Sequence, residues 1–369
     1  MKKKNIFCLI GQLGNGGTEK QLYLFLKYLD REQYNPTVVV SSSGEGKWKK
    51  AIEELSVPVI SLCGMNQVFK LLKFRYLVFK HKPEVILSWS FFTNAFYMFA
   101  GRSRFIGGLR GDLYVAREKL QPFHRAKSLD NESFIVNSSL LKKELLQEGI
   151  KEVKINLIHN IYERNKNFSE KPYLEKWRNE LRKKMEVSED TILVASIARN
   201  TPEKDIPFFI DVFQKAAEKM PELKAFLIGE GGTAFADEIK RRGLSEKFIL
   251  TGHYENASEL LPAADIYFLS SRTEGMPNVL LEAIDAGCGV FSTDVGGVGD
   301  ILSELGEELF SEVILKDRDI DSSAEKLIKT AQNPALRKKI AEKGGECLKQ
   351  FLPEKIMSGY YEVLKHIES

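Results

Sequence analysis

The sequence predicts two successive α/β domains, each built on a parallel sheet with helices on both faces. Three observations predict it. At 369 residues the chain is longer than one ordinary compact core. Short apolar or β-branched runs alternate with helical patterns in both halves. The composition is globular: 43% hydrophobic, 28% charged and 10% aromatic, with 27 Gly and 12 Pro dispersed along the chain. That mix excludes a disordered, collagen-like or disulfide-stapled chain.

Predicted strands in the first half fall at 5–10, 37–41, 85–88, 105–107, 134–136 and 155–158, separated by helical patterns such as 21–29 and 140–148. A second series follows at 192–197, 225–228, 248–251, 266–269 and 289–292. The stretch 163–189 is charged and lacks a strand pattern, so a linker is expected there. The expected division is 1–165, a linker at 166–189, a second domain at 190–350, and a C-terminal helix over 351–369 after the break at Pro353. A return of that helix to the first domain is one course open to it.

Four cysteines, Cys8, Cys63, Cys288 and Cys347, lie far apart and form no C-x-x-C pair, which argues against a zinc cluster or redox couple and for a reducing cytoplasm. The most apolar window, 85–100, is interrupted by Ser88, Ser90, Thr93 and Asn94 and is too short to span a bilayer. Behind Met1-Lys2-Lys3-Lys4 the apolar run at 6–10 is shorter than the roughly 7–15 residues of a signal-peptide core, so it is expected to be the first buried strand.

Net charge is only +3, no case for nucleic acid, but the halves differ. Residues 1–165 carry 26 Lys+Arg against 15 Asp+Glu, a net +11; the remainder carries 28 against 36, a net −8. The densest basic stretch, 70–82, contains Lys70, Lys73, Arg75, Lys80 and Lys82 among Leu71, Leu72, Phe74, Leu77, Val78 and Phe79. It reads either as a basic amphipathic helix for an anionic surface or as a helix packed on its sheet with lysines in water.

In open α/β sheets ligands meet the carboxyl ends of strands, so the loops there are where chemistry is expected. The first is Gly11-Gln12-Leu13-Gly14-Asn15-Gly16-Gly17-Thr18-Glu19. Gly17 occupies the lysine position of a phosphate loop, which excludes an NTPase, and no dinucleotide fingerprint fits in register. What remains is Gly16-Gly17 at a helix start, a place for an anion or sugar to approach backbone N–H groups, or simply a tight turn. The second is Ser270-Ser271-Arg272-Thr273-Glu274-Gly275-Met276-Pro277-Asn278-Val279-Leu280-Leu281-Glu282-Ala283. A helix is expected to open near Pro277, with Glu274 just before it and Glu282 on its second turn. Two carboxylates flanking a helix N-terminus suit a phosphate between two polyols, the shape of a nucleotide-sugar; solvated or capping glutamates have the same spacing.

Glu274 to Glu282 resembles the Glu-x7-Glu motif of family 4 retaining glycosyltransferases. Further similarities cover nearly the whole chain in order: Gly16-Gly17-Thr18-Glu19; Arg199-Asn200-Thr201-Pro202-Glu203-Lys204; Gly229-Glu230-Gly231; and Asp294-Val295-Gly296-Gly297. The resemblance implies a GT-B architecture, two Rossmann-like domains facing each other across a cleft, and a catalytic set of Arg199, Lys204 and Glu274. Arg199 and Lys204 are then expected at the donor diphosphate, Glu274 at the transferred sugar and Glu282 at the ribose. Gly16, Gly17, Asn200, Gly229, His253, Gly275, Met276, Pro277, Asn278 and Val279 complete the expected donor contacts. Where relatives carry an N-domain histidine this chain reads Gly107-Gly108-Leu109-Arg110-Gly111-Asp112, making Arg110 a candidate anion clamp or a plain loop arginine. Gly287-Cys288-Gly289 replaces the usual Gly-x-Pro, and Asp300 stands where Glu is common.

The implied reaction transfers a hexose or N-acetylhexosamine from a nucleotide-sugar, UDP-linked in preference to GDP-linked, to a glycan or lipid-linked acceptor of cell-surface polysaccharide synthesis. No cofactor and no metal is expected, since Asp317-Arg318-Asp319 matches a metal motif in letters alone. The protein is expected in the cytoplasm, with peripheral contact at the inner membrane face through the basic first domain, and without nucleic-acid partners. The competing classes are a nucleotide-sugar epimerase or hydrolase of the same fold, a transferase using a soluble small-molecule acceptor, and a non-catalytic sugar-binding module. An NAD-dependent dehydrogenase would need the missing fingerprint.

Overall fold

The computed structural model describes residues 3–111, 113, 118, 120–168 and 171–365. Met1, Lys2 and Asp112, quoted above, lie outside the described residues, as do 169–170 of the expected linker and 366–369 of the C-terminal stretch. The chain divides into two units, Met1–Ile161 with Phe351–Ser369, and Tyr162–Gln350.

In the first unit the strands are β1 (Lys4–Gln12), β2 (Tyr34–Ser43), β3 (Val59–Ser61), β4 (Val85–Ser88), β5 (Arg104–Leu109), β6 (Ser133–Val136) and β7 (Ile155–Leu157). They pair in parallel in the order β3-β2-β1-β4-β5-β6-β7. Helices α1 (Gly17–Tyr28), α2 (Lys47–Glu54), α3 (Gln67–His81), α4 (Pro122–Leu129) and α5 (Ser139–Gln147) run between them. Buried on both faces, β1, β2 and β4 read as continuous apolar runs, as parallel strands must. Phe7, Leu9, Val39 and Ile86 meet Phe74, Leu77 and Val78 of α3 in one cluster, where Phe74 sits edge-on to Phe96 at 5.1 Å.

The second unit has β8 (Ile192–Ile197), β9 (Leu223–Ile228), β10 (Phe248–Leu250), β11 (Ile266–Leu269), β12 (Gly289–Thr293) and β13 (Ile314–Leu315), parallel in the order β10-β9-β8-β11-β12-β13. Its helices are α6 (Lys171–Lys184), α7 (Ile206–Lys219), α8 (Glu230–Ala234), α9 (Ala236–Arg241), α10 (Asn278–Asp285), α11 (Val298–Ile301), α12 (Glu307–Val313), α13 (Ile320–Gln332) and α14 (Pro334–Cys347). Its core is aromatic: Phe209, Phe213, Phe248, Phe268 and Phe291 interlock, with Phe213–Phe248 and Phe268–Phe291 each at 4.9 Å. The last helix, α15 (Pro353–Lys365), belongs to the first unit, where Tyr360 packs on Phe25 at 4.8 Å and on Trp89 at 6.1 Å.

The segment expected as a linker, 166–189, holds helix α6, and two of its arginines are structural. Buried Arg182 donates to the carbonyls of Ala263 (2.9 Å), Ser188 (2.5 Å) and Thr191 (2.6 Å) and to Asp265 Oδ2 (3.3 Å). Arg178 donates to Pro262 O, Ala264 O and Asp265 Oδ1 at 3.0, 2.8 and 2.7 Å. Burial presses the Arg182 guanidinium below the usual arginine range, and the Asp265 charge opposes that shift. A window reading scores such a stretch as solvated because it cannot see the carbonyls that its arginines bind.

Candidate functional site

In each unit the strand order reverses, between β1 and β4 and between β8 and β11, so the loops leaving those strands diverge and open a crevice at their carboxyl ends. The two loops of the second unit carry most of the candidate residues. β8 continues into exposed Arg199 and Asn200 and then a single 3₁₀ turn, Pro202–Lys204. β11 continues into Ser270, Ser271 and Arg272. The loops are stitched together: Arg272 N donates to Glu203 O at 2.8 Å, and Ser270 Oγ donates to Lys204 O at 3.0 Å.

That stitching brings Lys204 to Glu274. Lys204 Nζ donates to Glu274 Oε1 at 2.5 Å, and Ser271 Oγ donates to the same oxygen at 2.7 Å. Ser271 is held in turn by Thr293 Oγ1, which donates to its carbonyl at 2.7 Å. Gly275, Met276 and Pro277 are buried, and α10 begins at Asn278 with Pro277 as its N-cap, one residue earlier than the first helical position expected for it. Asn278, Val279 and Glu282 are half-buried on the first two turns. Backbone N–H groups at the start of an eight-residue helix, beside a lysine and a glutamate, form a setting for a phosphate flanked by hydroxyl groups.

Gly296 explains why a second glycine-rich loop follows β12. Its φ is +54°, and a Cβ there would lie 2.4 Å from Glu274 O and 2.6 Å from Gly275 O. Gly297 N donates to Gly275 O at 2.7 Å, so the loop supports the peptide that carries Glu274. Gly229, at φ +101°, bridges Gly252 and leaves room for Ala198 O, which would lie 2.9 Å from a Cβ. Exposed His253 follows that bridge. The structure thus brings Lys204, Glu274, Gly275, Met276, Pro277, Asn278, Val279 and Glu282 together, with Arg199, Asn200, Gly229 and His253 on adjoining loops.

Gly16, Gly17 and Arg110 lie in the first unit. Gly16 precedes α1 at the carboxyl end of β1, and a Cβ on it would meet Glu19 Oε2 at 2.2 Å. The buried Glu19 carboxylate therefore folds back over the glycine. Arg110 leaves β5, lies over the Trp89 ring at 4.2 Å and donates from Nη2 to Tyr360 Oη at 2.6 Å. It ties α15 to the sheet, while its buried Nε and Nη1 make no hydrogen bond.

Sequence reasoning missed the ion network behind Lys204. Asp205, buried and in the left-handed region at φ +41°, accepts at Oδ2 from Arg318 Nη2 (2.6 Å) and lies 2.8 Å from Arg272 Nε. Arg318 also donates to Ser270 O (3.0 Å) and Ser271 O (3.2 Å) and lies 4.1 Å from the Phe208 ring centroid. It therefore joins the Lys204 loop to the Glu274 loop. Asp205 also caps α7, its Oδ1 accepting from Phe208 N at 3.4 Å, while its partner Arg318 lies 113 residues away in the chain. The flanking acids have local work: Asp319 Oδ1 caps α13 by accepting from Ser322 N at 2.8 Å, and Asp317 Oδ1 accepts from Asp319 N at 3.3 Å. Among the described residues no group of three or more His, Cys, Asp or Glu side chains is placed to hold a metal ion, and no helix is long and apolar enough to cross a membrane.

Residues 178–346, which contain all of these second-unit loops, match the family described as glycosyl transferases group 1. The group 1 likeness extends to curated proteins: the chain is 25% identical over 225 residues to N-acetyl-alpha-D-glucosaminyl L-malate synthase of Bacillus anthracis, covering 57% of this chain and 58% of that protein. It is 21% identical to the lipopolysaccharide core biosynthesis glycosyltransferase LpsE of Rhizobium meliloti, over 95% of this chain and 96% of that one. The chain spans about half the length of the first curated relatives it matches. Among solved structures, the Anabaena protein HepE in complex with UDP superposes with a TM-score of 0.80 at 18% identity, over 98% of this chain and 100% of that one. That match is one of fold: paired Rossmann-like units.

Proposed function

We propose that this chain is a retaining glycosyltransferase that moves a hexose or N-acetylhexosamine from a nucleotide-sugar, UDP-linked, to a glycan or lipid-linked acceptor in cell-surface polysaccharide or glycoconjugate synthesis. The observation that carries the reading is the Lys204–Glu274 contact at the head of α10, within the group 1 stretch. The UDP preference draws support from the UDP complex of HepE and the acceptor class from the name of LpsE.

Charge decides the roles. Cleaving the anomeric C–O bond develops positive charge on the sugar and negative charge on the departing diphosphate. Arg199, Lys204 and the N–H groups opening α10 stabilise the diphosphate, with Glu274 at the sugar hydroxyls and Glu282 at the ribose. The acceptor hydroxyl attacks from the face that the diphosphate leaves, and its proton passes to the departing phosphate oxygen. The cationic side chains are where a divalent ion would otherwise act, so the reaction is proposed to need no metal.

The test is a mass-spectrometric screen of UDP- and GDP-sugars for hydrolysis and transfer, with and without EDTA. Release of UDP from one sugar class, unaffected by EDTA and lost in Lys204→Met, is the expected result. Rearrangement of the sugar without acceptor would replace transferase with epimerase. Turnover of GDP-sugars alone would overturn the UDP assignment, and rescue by Mg²⁺ after EDTA the metal-free one.

A further inference from the structure

We propose that the outward face of α3 is a docking surface for an anionic bilayer. The helix buries one side: Phe74, Leu77 and Val78 lie in the first unit's core with Leu71 packed against them. A helix on a sheet normally turns its polar side to water. This one does not. Val68 (66% exposed), Leu72 (56%), Tyr76 and Phe79 (72%) follow one another at i, i+4, i+8 and i+11, with Met65 and Phe69 (63%) beside them. Single exposed apolar residues are ordinary, but a continuous stripe opposite the core face marks a contact surface.

Charge identifies what covers it. No Asp or Glu occurs between Gln67 and His81. Exposed Lys73 and Lys80 border the stripe on one side and exposed Arg75 on the other, and Lys73 Nζ lies 5.4 Å from the Tyr76 ring centroid. Two copies of this chain paired through α3 would set these cations against each other. An anionic lipid surface instead takes both features: apolar side chains enter the acyl boundary while lysine stems reach up to the headgroups. The face is formed in advance, because Asn66 Oδ1 accepts from Phe69 N at 3.0 Å at one end and Lys82, at φ +47°, closes the other. The inference does not rest on the donor chemistry, since vesicle binding is read with no sugar present.

The experiment is co-sedimentation of the full chain with phosphatidylcholine vesicles and with vesicles of equal parts phosphatidylcholine and phosphatidylglycerol, at low and high salt. Binding to the anionic vesicles that weakens with salt is expected. The paired change Leu72→Ser with Phe79→Ser should lower partitioning at least about tenfold, and Lys73→Glu with Lys80→Glu should lower it and flatten its salt dependence. All four side chains are exposed, and unchanged thermal melts would confirm that the variants fold. Absence of vesicle binding overturns the proposal, as does binding that both variants leave unchanged. So does a dimer in sedimentation velocity that Leu72→Ser with Phe79→Ser dissolves while vesicles bind neither protein; the occupant would then be a second copy.

Discussion

Lys204 Nζ and Glu274 Oε1 stand 2.5 Å apart although 70 residues separate them in the chain. Each leaves a neighbouring strand at the point where the sheet's order reverses, so the fold, and no local sequence feature, makes the pair. A lysine so held is aimed before any ligand arrives, and the cost of orienting it is met in folding.

Lys204→Met is therefore expected to lower kcat by about 10²–10³ with little change in melting temperature. Because the pair acts as a unit, Glu274→Gln combined with Lys204→Met should cost less than the sum of the single losses. Steady-state kinetics on a double-mutant cycle decides it. Fully additive losses would mean that the two side chains act separately.

The two glutamates should differ in kind. Glu282→Ala is expected to weaken UDP binding with kcat largely kept, since a ribose contact is shared by ground and transition states. Glu274→Ala is expected to lower kcat more, since it touches the reacting sugar. Calorimetry with UDP beside initial-rate kinetics separates them; equal losses of UDP affinity would remove the distinction.

Arg318 touches no expected ligand atom, yet it spans both site loops. Arg318→Ala leaves buried Asp205 with Arg272 as its remaining ion-pair partner and frees the Ser270 and Ser271 carbonyls. A loss of about 2 kcal/mol in stability and about tenfold in kcat/KM is expected. Arg318→Lys should not restore activity, because an ammonium cannot stack on Phe208 while forking to a carboxylate and two carbonyls. Normal kinetics well below a lowered melting temperature would reduce Arg318 to a purely structural part.

The thiols offer a check on the fold itself. Cys8, Cys288 and Cys347 are buried and Cys63 is partly exposed. Burial pushes Cys8 and Cys288 up to about 12. At about pH 8 their thiolate fraction is on the order of 10⁻⁴, and it rises only as pH approaches the folded value. An Ellman titration of native protein is expected to show one fast thiol, with the other three released on denaturation. Several fast thiols would contradict the burial of β1 and of the α10–β12 turn.

Eleven of the strands, the nine interior ones and the edges β7 and β10, were legible as apolar runs bounded by turns. The edges β3 and β13 were not: β3 is only half-buried, and β13 has two residues, too few to carry a pattern. Glu274 and Glu282 were visible as a spacing and Gly16-Gly17 as a motif. The partners that fix the site were not: Ser271 acts through its hydroxyl on Glu274, Gly296 through backbone contact, and Arg318 reaches Asp205 only through the tertiary fold. Arg110 was visible as an arginine at a strand end, but its bond to Tyr360 of α15 was not, since pattern left the return of that helix to the first domain as one option without a contact.

The return of α15 bears on how the molecule is made. Phe25 and Trp89 pack against Tyr360, and the Asp30 N–H donates to Tyr361 Oη at 2.9 Å, so the residues that complete the first unit's packing are made last, after the whole second unit. The second unit is contiguous and emerges complete while the first still waits. A ribosome stalled between the two would display a finished second unit beside an unfinished first one, with Phe25 and Trp89 exposed to chaperones.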